Sequence, residues 1–566
     1  MKRRFIRWIC FLSLVSLIFI NYGAAMAATD TKETIPNGFI HAAGTKLVDG
    51  NDKEFIAKGI AFGNDVWSNP SVPPENHHTE NSYKELSKMG FNSIRFYLNY
   101  GLFEYDSTPY QYKQSGWDWL DRNIAWAKKY NIKLVLNMHY PQGGFQSNGN
   151  GMELWTSNDN RTRLVSLWKE IARRYENETV IMAYDLLNEP YLPELSTEGK
   201  TIGQWKNLAK RMVSAIRTVD KNHLIIVERL NAAKNIESGE SNWDPDRFGN
   251  MNFFLIKDDN IAYEFHVYEP MEFTHQNAIW IESYRGNFSR YPDQDAVKTY
   301  GEVKWEGTTF SNPKLSLSKK GWQYLKGERF KVNNPSYMFA QPTFQASNTG
   351  KYGMAWFDDI TVKEYDENDK YVHTIYDYEF DDLEGWSFWQ AGDSKGKGIY
   401  DSSTGHDTNG SLRILYTMDD ANLSSYIDRI KLEQGHSYEV SGYALGKYLT
   451  PSAEVRIRLD FFSCDSVYTR DKDYLESYID RYLEFGEENQ VPLYLGEFGC
   501  ITDAFEEDRG GECFVADMID ICKENSISFN YHAYHEESFG LYQNSAKILP
   551  AQPNQLLMDI FETKLK

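Results

Sequence analysis

From Phe55 to about Tyr268 the chain alternates short apolar runs, rich in β-branched and aromatic residues, with longer stretches whose apolar positions recur every three or four residues. The runs are FIAKGIAFG (55–63), FNSIRFYL (91–98), IKLVLNMHY (132–140), VIMAYDLLNEP (180–190), HLIIVE (223–228) and IAYEFHVY (261–268). Short, nearly continuous apolar runs suit strands covered on both faces, whereas three-and-four spacing marks one side of a helix. ENSYKELSKMG, WDWLDRNIAWAKKY, RLVSLWKEIARRYE and WKNLAKRMVSAIRTVD have the helical spacing. Six strand-helix units in succession predict a parallel sheet. Two further runs, VPLYLGEFG (491–499) and ISFNYHAYHE (527–536), stand on either side of a helical stretch from Phe514 to Glu524. Eight strands predict an α/β fold closed into a (β/α)8 TIM barrel, whose reactive side chains stand at the C-terminal ends of the strands.

Between Tyr300 and about Cys464 the helical spacing disappears. YMFAQPTFQA, GMAWFDDITVKEY, SLRILYTM, HSYEVSGYAL and AEVRIRLDFFS are short alternating runs between turns. They predict an all-β, antiparallel sandwich inserted between barrel strands 6 and 7. Such an insertion requires the guest's two ends to lie close together. DKDYLESYIDRYLEFGEEN then resumes the barrel with the helix that precedes strand 7. The expected division is a leader at 1–27, a first barrel part at 28–302, the inserted sandwich at 303–464 and a second barrel part at 465–566. The leader reads as a secretory signal peptide: basic Lys2, Arg3, Arg4 and Arg7, an apolar segment from Ile6 to Ile20, and the small-residue site Ala25-Met26-Ala27. A secreted, extracellular product is expected.

Charge narrows the partners. Without the four basic residues of the leader, the 60 Lys and Arg fall to 56 against 81 Asp and Glu. That excess disfavours nucleic acid and anionic membrane, and a neutral substrate is expected. Cys464, Cys500, Cys513 and Cys522 remain once Cys10 leaves with the leader. Four cysteines in so long a chain make no disulfide framework and none has zinc-ligand spacing; a bridge among the last three and free buried thiols both stand as readings. Aromatic residues make up 15% of the chain. Most must fill cores, yet flat apolar faces beside hydrogen-bonding groups also suit a sugar ring, a weak pointer to carbohydrate. His77 and His78 fall in a polar loop and are expected to be solvated.

The strand ends are polar: Arg95, His139, Asn188-Glu189, Glu228, His266 with Tyr268, Glu497 and His532. The NEP of strand 4 and the GEFG of strand 7, with Arg95 on strand 2, His139 on strand 3 and HVY on strand 6, resemble the retaining glycoside hydrolases of family 5. The resemblance covers about residues 36–300 and 465–566, and EPMEFTHQNAIW after strand 6 is similar to a segment of some endoglucanases of that family. It implies Glu189 as acid/base and Glu497 as nucleophile. It also implies Arg95, His139, Asn188, His266, Tyr268 and His532 as substrate-binding or supporting residues, and no cofactor for catalysis. Glu228 is read as a supporting or cleft residue outside the catalytic set. Two departures concern the sugar subsite: His532 stands where the family usually has a tryptophan, and Gly59-Ile60-Ala61 replaces a common GVN.

The insert resembles a jelly-roll carbohydrate-binding module with its halves exchanged. WFDDITV (356–362), which usually ends such modules, precedes YEFDDLEGW (378–386), which usually begins them. A circularly permuted sandwich is the expectation. A structural calcium ion at Asp359 and Asp381 is implied by the same resemblance, and Trp386 and Trp389 are expected to pack in its core. The implied function is a secreted, monomeric, retaining endo-β-1,4-glycanase acting on a β-linked polysaccharide, with cellulose or soluble β-glucan favoured. Mannanase, glucomannanase or xylanase activity on the same carboxylates, or polysaccharide binding without turnover, are the alternatives.

Overall fold

The computed structural model describes residues 38–566 apart from 76, 196–197, 236, 310–313, 393–394, 427–428, 536 and 543–551. The expected leader at 1–27 lies outside the described residues. Eight parallel strands close into a barrel in chain order: β1 (Lys58–Phe62), β2 (Ser93–Asn99), β3 (Lys133–Tyr140), β4 (Ile181–Asp185), β5 (Leu224–Glu228), β6 (Ile261–Val267), β7 (Leu493–Phe498) and β8 (Ser528–Tyr531). Successive side chains of a strand face opposite ways. On β2, Ile94, Phe96 and Leu98 therefore join the large core under the helices, and Arg95 and Tyr97 point into the barrel. The interior at the other end is apolar: Val135, Ala183, Ile226, Ala262 and Tyr494 pack with Ile40 and Leu47 of a hairpin (His41–Ala43 with Lys46–Val48) that closes that mouth.

The longer helices are α1 (Glu80–Met89), α2 (Gln114–Lys129), α3 (Asn158–Tyr175), α4 (Glu198–Arg217), α5 (Lys472–Asn489), α6 (Gly511–Glu524) and α7 (Gln555–Lys564). A capping box of Thr79 and Ser82 starts α1, and Gly90, at φ 104°, ends it as the left-handed residue that glycine adopts without steric cost. Side-chain caps from Ser157 and Asp471 start α3 and α5. One expectation fails: among the described residues no α-helix joins β5 to β6. That connection holds Gly239, Pro245 and Gly249 and no apolar repeat, and its Ala232–Asn235 and Ser241–Asn242 form a small sheet with Tyr191–Glu194, which follows β4, instead.

The insert leaves and rejoins the barrel through one antiparallel pair, Asp293–Tyr300 with Ser466–Arg470, in which Tyr300 lies opposite Ser466 and Asp293 opposite Arg470. Its two ends are thus side by side, as an insertion demands. One sheet of the sandwich is built on Phe339–Ser347 and Glu454–Ser463, the other on Met354–Tyr365 and Ser437–Lys447. Phe344 stacks between Phe357 (4.5 Å) and Trp386 (4.8 Å) at the centre. Trp389, expected in that core, is exposed, because on the strand Trp386–Gln390 it falls on the face opposite Phe388. Cys464, Cys500, Cys513 and Cys522 are free thiols, with Cys500 and Cys522 buried. Among the described residues no helix is long and apolar enough to cross a membrane.

Candidate active site

The floor of the open barrel mouth is a buried network of charge centred on Arg95. Its Nε donates to Asp185 Oδ2 (2.8 Å), its Nη1 to Glu497 Oε1 (2.7 Å), and its Nη2 to Asn188 Oδ1 (3.0 Å) and Glu264 Oε1 (2.9 Å). Glu497, on β7, also accepts from the hydroxyls of Tyr97 at Oε1 and Tyr268 at Oε2, both at 2.8 Å. Burial pushes the Glu497 carboxyl up, but the cationic His266 and Arg95, together with His532, outweigh it and hold the group well below the usual carboxylate range.

Glu189 follows β4 with a left-handed backbone, φ 44°, that few non-glycine residues adopt. Its N–H is held by Glu228 Oε2 at 2.5 Å, which fixes the turn and turns the side chain to the cleft, where it is 16% exposed. His266 joins the two acids. Its Nδ1 is 3.0 Å from Glu189 Oε1 and 3.7 Å from Glu497 Oε2, and its Nε2 is 3.3 Å from Glu264 Oε1. One oxygen of Glu189, one nitrogen of His266 and one oxygen of Glu497 all lie within 4.8 Å of one another. Burial disfavours a charged His266, yet Glu228 and Glu497 raise it well above the ordinary imidazole range, and its hydrogen bonds to Glu189 and Glu264 add to that. Both ring nitrogens facing carboxylates is the arrangement of an imidazolium.

Burial, then the neighbouring Glu264, lifts the Asp185 carboxyl well above its usual range despite Arg95; burial does the same for Glu228. Asp185 Oδ1 and Glu264 Oε2 are buried without a hydrogen-bond partner among the described residues. His139 donates through Nδ1 to Asn137 Oδ1 (3.0 Å), Asn137 Nδ2 donates to Asp185 Oδ2 (2.8 Å), and the His139 ring stacks on Tyr97 at 3.9 Å. Burial holds it well below the usual imidazole range, hence neutral. His532 Nδ1 is 3.1 Å from the Tyr97 hydroxyl. Around the rim stand Trp67, 42% exposed and 5.9 Å from His139, and Trp280, 54% exposed and 6.4 Å from Phe539.

Every barrel residue singled out from the sequence is therefore brought to one place: Arg95, His139, Asn188, Glu189, His266, Tyr268, Glu497 and His532. Sequence reasoning missed Tyr97, Asn137, Asp185 and Glu264. Three of them sit two positions before or after a chosen residue on the same strand, and that period of two, which puts neighbours on one face, could have found them. Glu228, set aside earlier, positions the Glu189 backbone directly. The histidine pair His77-His78 is corrected: His78 is buried against Phe62, not solvated. Of the two residues expected at a calcium ion, Asp359 groups with His406, whose Nδ1 is 2.6 Å from it, and Asp407, while Asp381 is in no such side-chain group among the described residues.

A profile of cellulases of glycosyl hydrolase family 5 matches residues 48–379, which takes in β1 to β6 and runs into the insert. A carbohydrate-binding domain profile matches 372–461. Endoglucanase C of Acetivibrio thermocellus is 31% identical over 262 residues, 46% of this chain and 63% of the relative. Cellodextrinase A of Ruminococcus flavefaciens is 27% identical over 40% of this chain and 62% of the relative. The chain thus spans a little under two thirds of the length of these relatives. A solved endoglucanase of Thermotoga maritima aligns over 89% of this chain and 96% of its own at 16% identity, with a TM-score of 0.45 too low to bear on the site. With the profile match extending over more than half of its residues, the chain belongs to glycosyl hydrolase family 5.

Proposed function

We propose that the protein is a retaining endo-β-1,4-glucanase, with Glu497 as nucleophile and Glu189 as acid/base. The observation that supports this most is the spacing of the two carboxyl groups, oxygens within 4.8 Å, with Glu497 held ionised by Arg95, Tyr97 and Tyr268. Retaining enzymes need acids about 5 Å apart, and inverting ones a wider gap that admits water. In the first step Glu497 Oε2 attacks the anomeric carbon, the glycosidic bond breaks, and Glu189 gives its proton to the leaving oxygen. In the second, Glu189 takes a proton from water, whose oxygen displaces Glu497 and restores its carboxylate. Tyr268 shares the attacking oxygen and steadies it; Asn188, fixed by Arg95 and by Ser147 (3.1 Å), presents its amide to the sugar's 2-hydroxyl. Exposed Trp67 supplies a flat face beside His532, where the usual stacking tryptophan is missing.

The names of the curated relatives support a β-1,4-glucan as the substrate, and the exposed Trp389 and the binding-domain match support polysaccharide contact by the insert. The site is complete within one chain, which supports a monomer. Export is proposed from the leader, with mature protein beginning at Ala28. The insert is further read as circularly permuted, since the matched 372–461 follows the WFDDI stretch that usually ends such modules; a module with its halves restored to the usual order should fold and bind glucan. Reducing-sugar release from carboxymethylcellulose, lichenan, mannan and xylan tests the substrate, and proton NMR of the first product tests retention. Activity on mannan alone sinks the glucanase reading. Glu497→Gln is expected to fold normally and lose nearly all turnover.

A further inference from the structure

His77 and His78, between β1 and α1, meet His535, just after β8. One ring nitrogen from each lies within 4.8 Å of the other two. His78 is 5% exposed. Its ring lies against Phe62 at 3.6 Å on one face and against His535 at 4.5 Å on the other, with His77 edge-on to both. Simple ring packing accounts for that arrangement, but it leaves the hydrogen bonds around the rings unexplained.

Two of the three tautomers follow from groups that can only accept. Asn64 Nδ2 donates to the carbonyl of Tyr97 (2.9 Å), so Asn64 Oδ1 accepts from Nδ1–H of His78 (3.0 Å). Nε2 of His78 then carries the lone pair. His535 Nε2–H donates to the carbonyl of His77 (2.8 Å), so its Nδ1 carries the lone pair. Nε2 of His78 is buried and has no hydrogen-bond partner among the described residues. A buried acceptor without a donor is costly, and this one faces two further imidazoles. A ring whose second nitrogen donates to a carbonyl or amide oxygen is how metal-ligating histidines are held. Three imidazoles suit a first-row divalent ion and leave a fourth position for water.

We propose that His77, His78 and His535 form a site for a divalent transition-metal ion, zinc above all, that ties the loop after β1 to the loop after β8. Zinc–nitrogen distances of about 2.0–2.1 Å can be met by three ring nitrogens that already lie within 4.8 Å of one another. The first loop carries Trp67 and the second carries Phe539, so the ion sets the spacing of the aromatic rim without touching Glu189 or Glu497.

The test uses the full chain, stripped with a chelator and titrated with zinc. Bound metal is counted by mass spectrometry, and cobalt substitution is read by its visible spectrum. One equivalent per chain and a rise of about 2 °C or more in the unfolding midpoint are expected. His78→Phe, which keeps the ring against Phe62, is expected to lose that equivalent, and His77→Ala to bind at least about tenfold more weakly while its circular dichroism is unchanged. Glu497→Gln and Asp359→Asn should keep it, which excludes the acid-histidine groups of the cleft and the sandwich as the binding place. No uptake by the stripped parent, or equal uptake by the parent and His77→Ala, overturns the proposal.

Discussion

Arg95 Nη1 sits 2.7 Å from Glu497 Oε1, although 402 residues separate the two along the chain. The same guanidinium faces Asp185 and Glu264, so it is the fixed positive charge of a buried acid cluster. Removing one partner of a buried ion pair leaves the rest uncompensated and costs about 3–5 kcal/mol. Arg95→Met is expected to unfold at clearly lower urea, and Arg95→Lys, which lacks the fork, to fold with turnover lowered at least about a hundredfold. An unchanged urea midpoint in Arg95→Met would count against this account of the cluster.

Glu189→Gln separates the two roles of the acid/base. Turnover of polysaccharide should fall by roughly 10²–10⁴. The first turnover of a dinitrophenyl cellobioside should be spared, because a good leaving group needs no proton. Stopped-flow release of dinitrophenol reads the difference; equal loss in both assays argues against Glu189 as the acid.

The pH dependence follows from the directions of the shifts. Glu497 is depressed in the folded state, so its contribution to stability is present above about pH 4.5 and is lost as pH falls through its folded value. His266 is raised, so its contribution is full below about pH 6.5 and is lost as pH rises through its folded value. Asp185 and Glu228, also raised, lose their contribution as pH rises from the ordinary carboxylate range through their folded values. The unfolding midpoint should therefore decline from neutral into alkaline pH, and His266→Gln should flatten that decline. A midpoint that rises from pH 7 to 9 contradicts the assignment.

Trp67→Ala probes the rim. Loss of one stacking face is worth about 1.4 kcal/mol, or tenfold, and should appear in KM for cello-oligosaccharides with little change in kcat. A change confined to kcat would place Trp67 in the chemistry instead.

The thiols offer a test of the fold. Cys513 is exposed, while burial pushes Cys500 well up and Cys522 to a high value as well. Maleimide should label Cys513 in the native protein and reach Cys500 and Cys522 only on unfolding, with no effect of reductant on the midpoint.

By itself the sequence determined the strand count, the insert's position and the polar tips, because these are local: apolar runs mark strands, and the polar residue that ends a barrel strand lies at the mouth. Arg95, Asn188-Glu189, His266 and Glu497 were legible for that reason. What only the tertiary structure decided are relations between distant strands. Barrel closure sets Glu264 and Asp185 beside one another under Arg95, and Glu228 under the Glu189 amide. The same closure folds the loop bearing His78 against His535, 457 positions away, so a pair that looks solvated in the sequence is buried. Likewise Asp359 pairs with His406 rather than Asp381, since sandwich strands put side chains together by register and not by order along the chain.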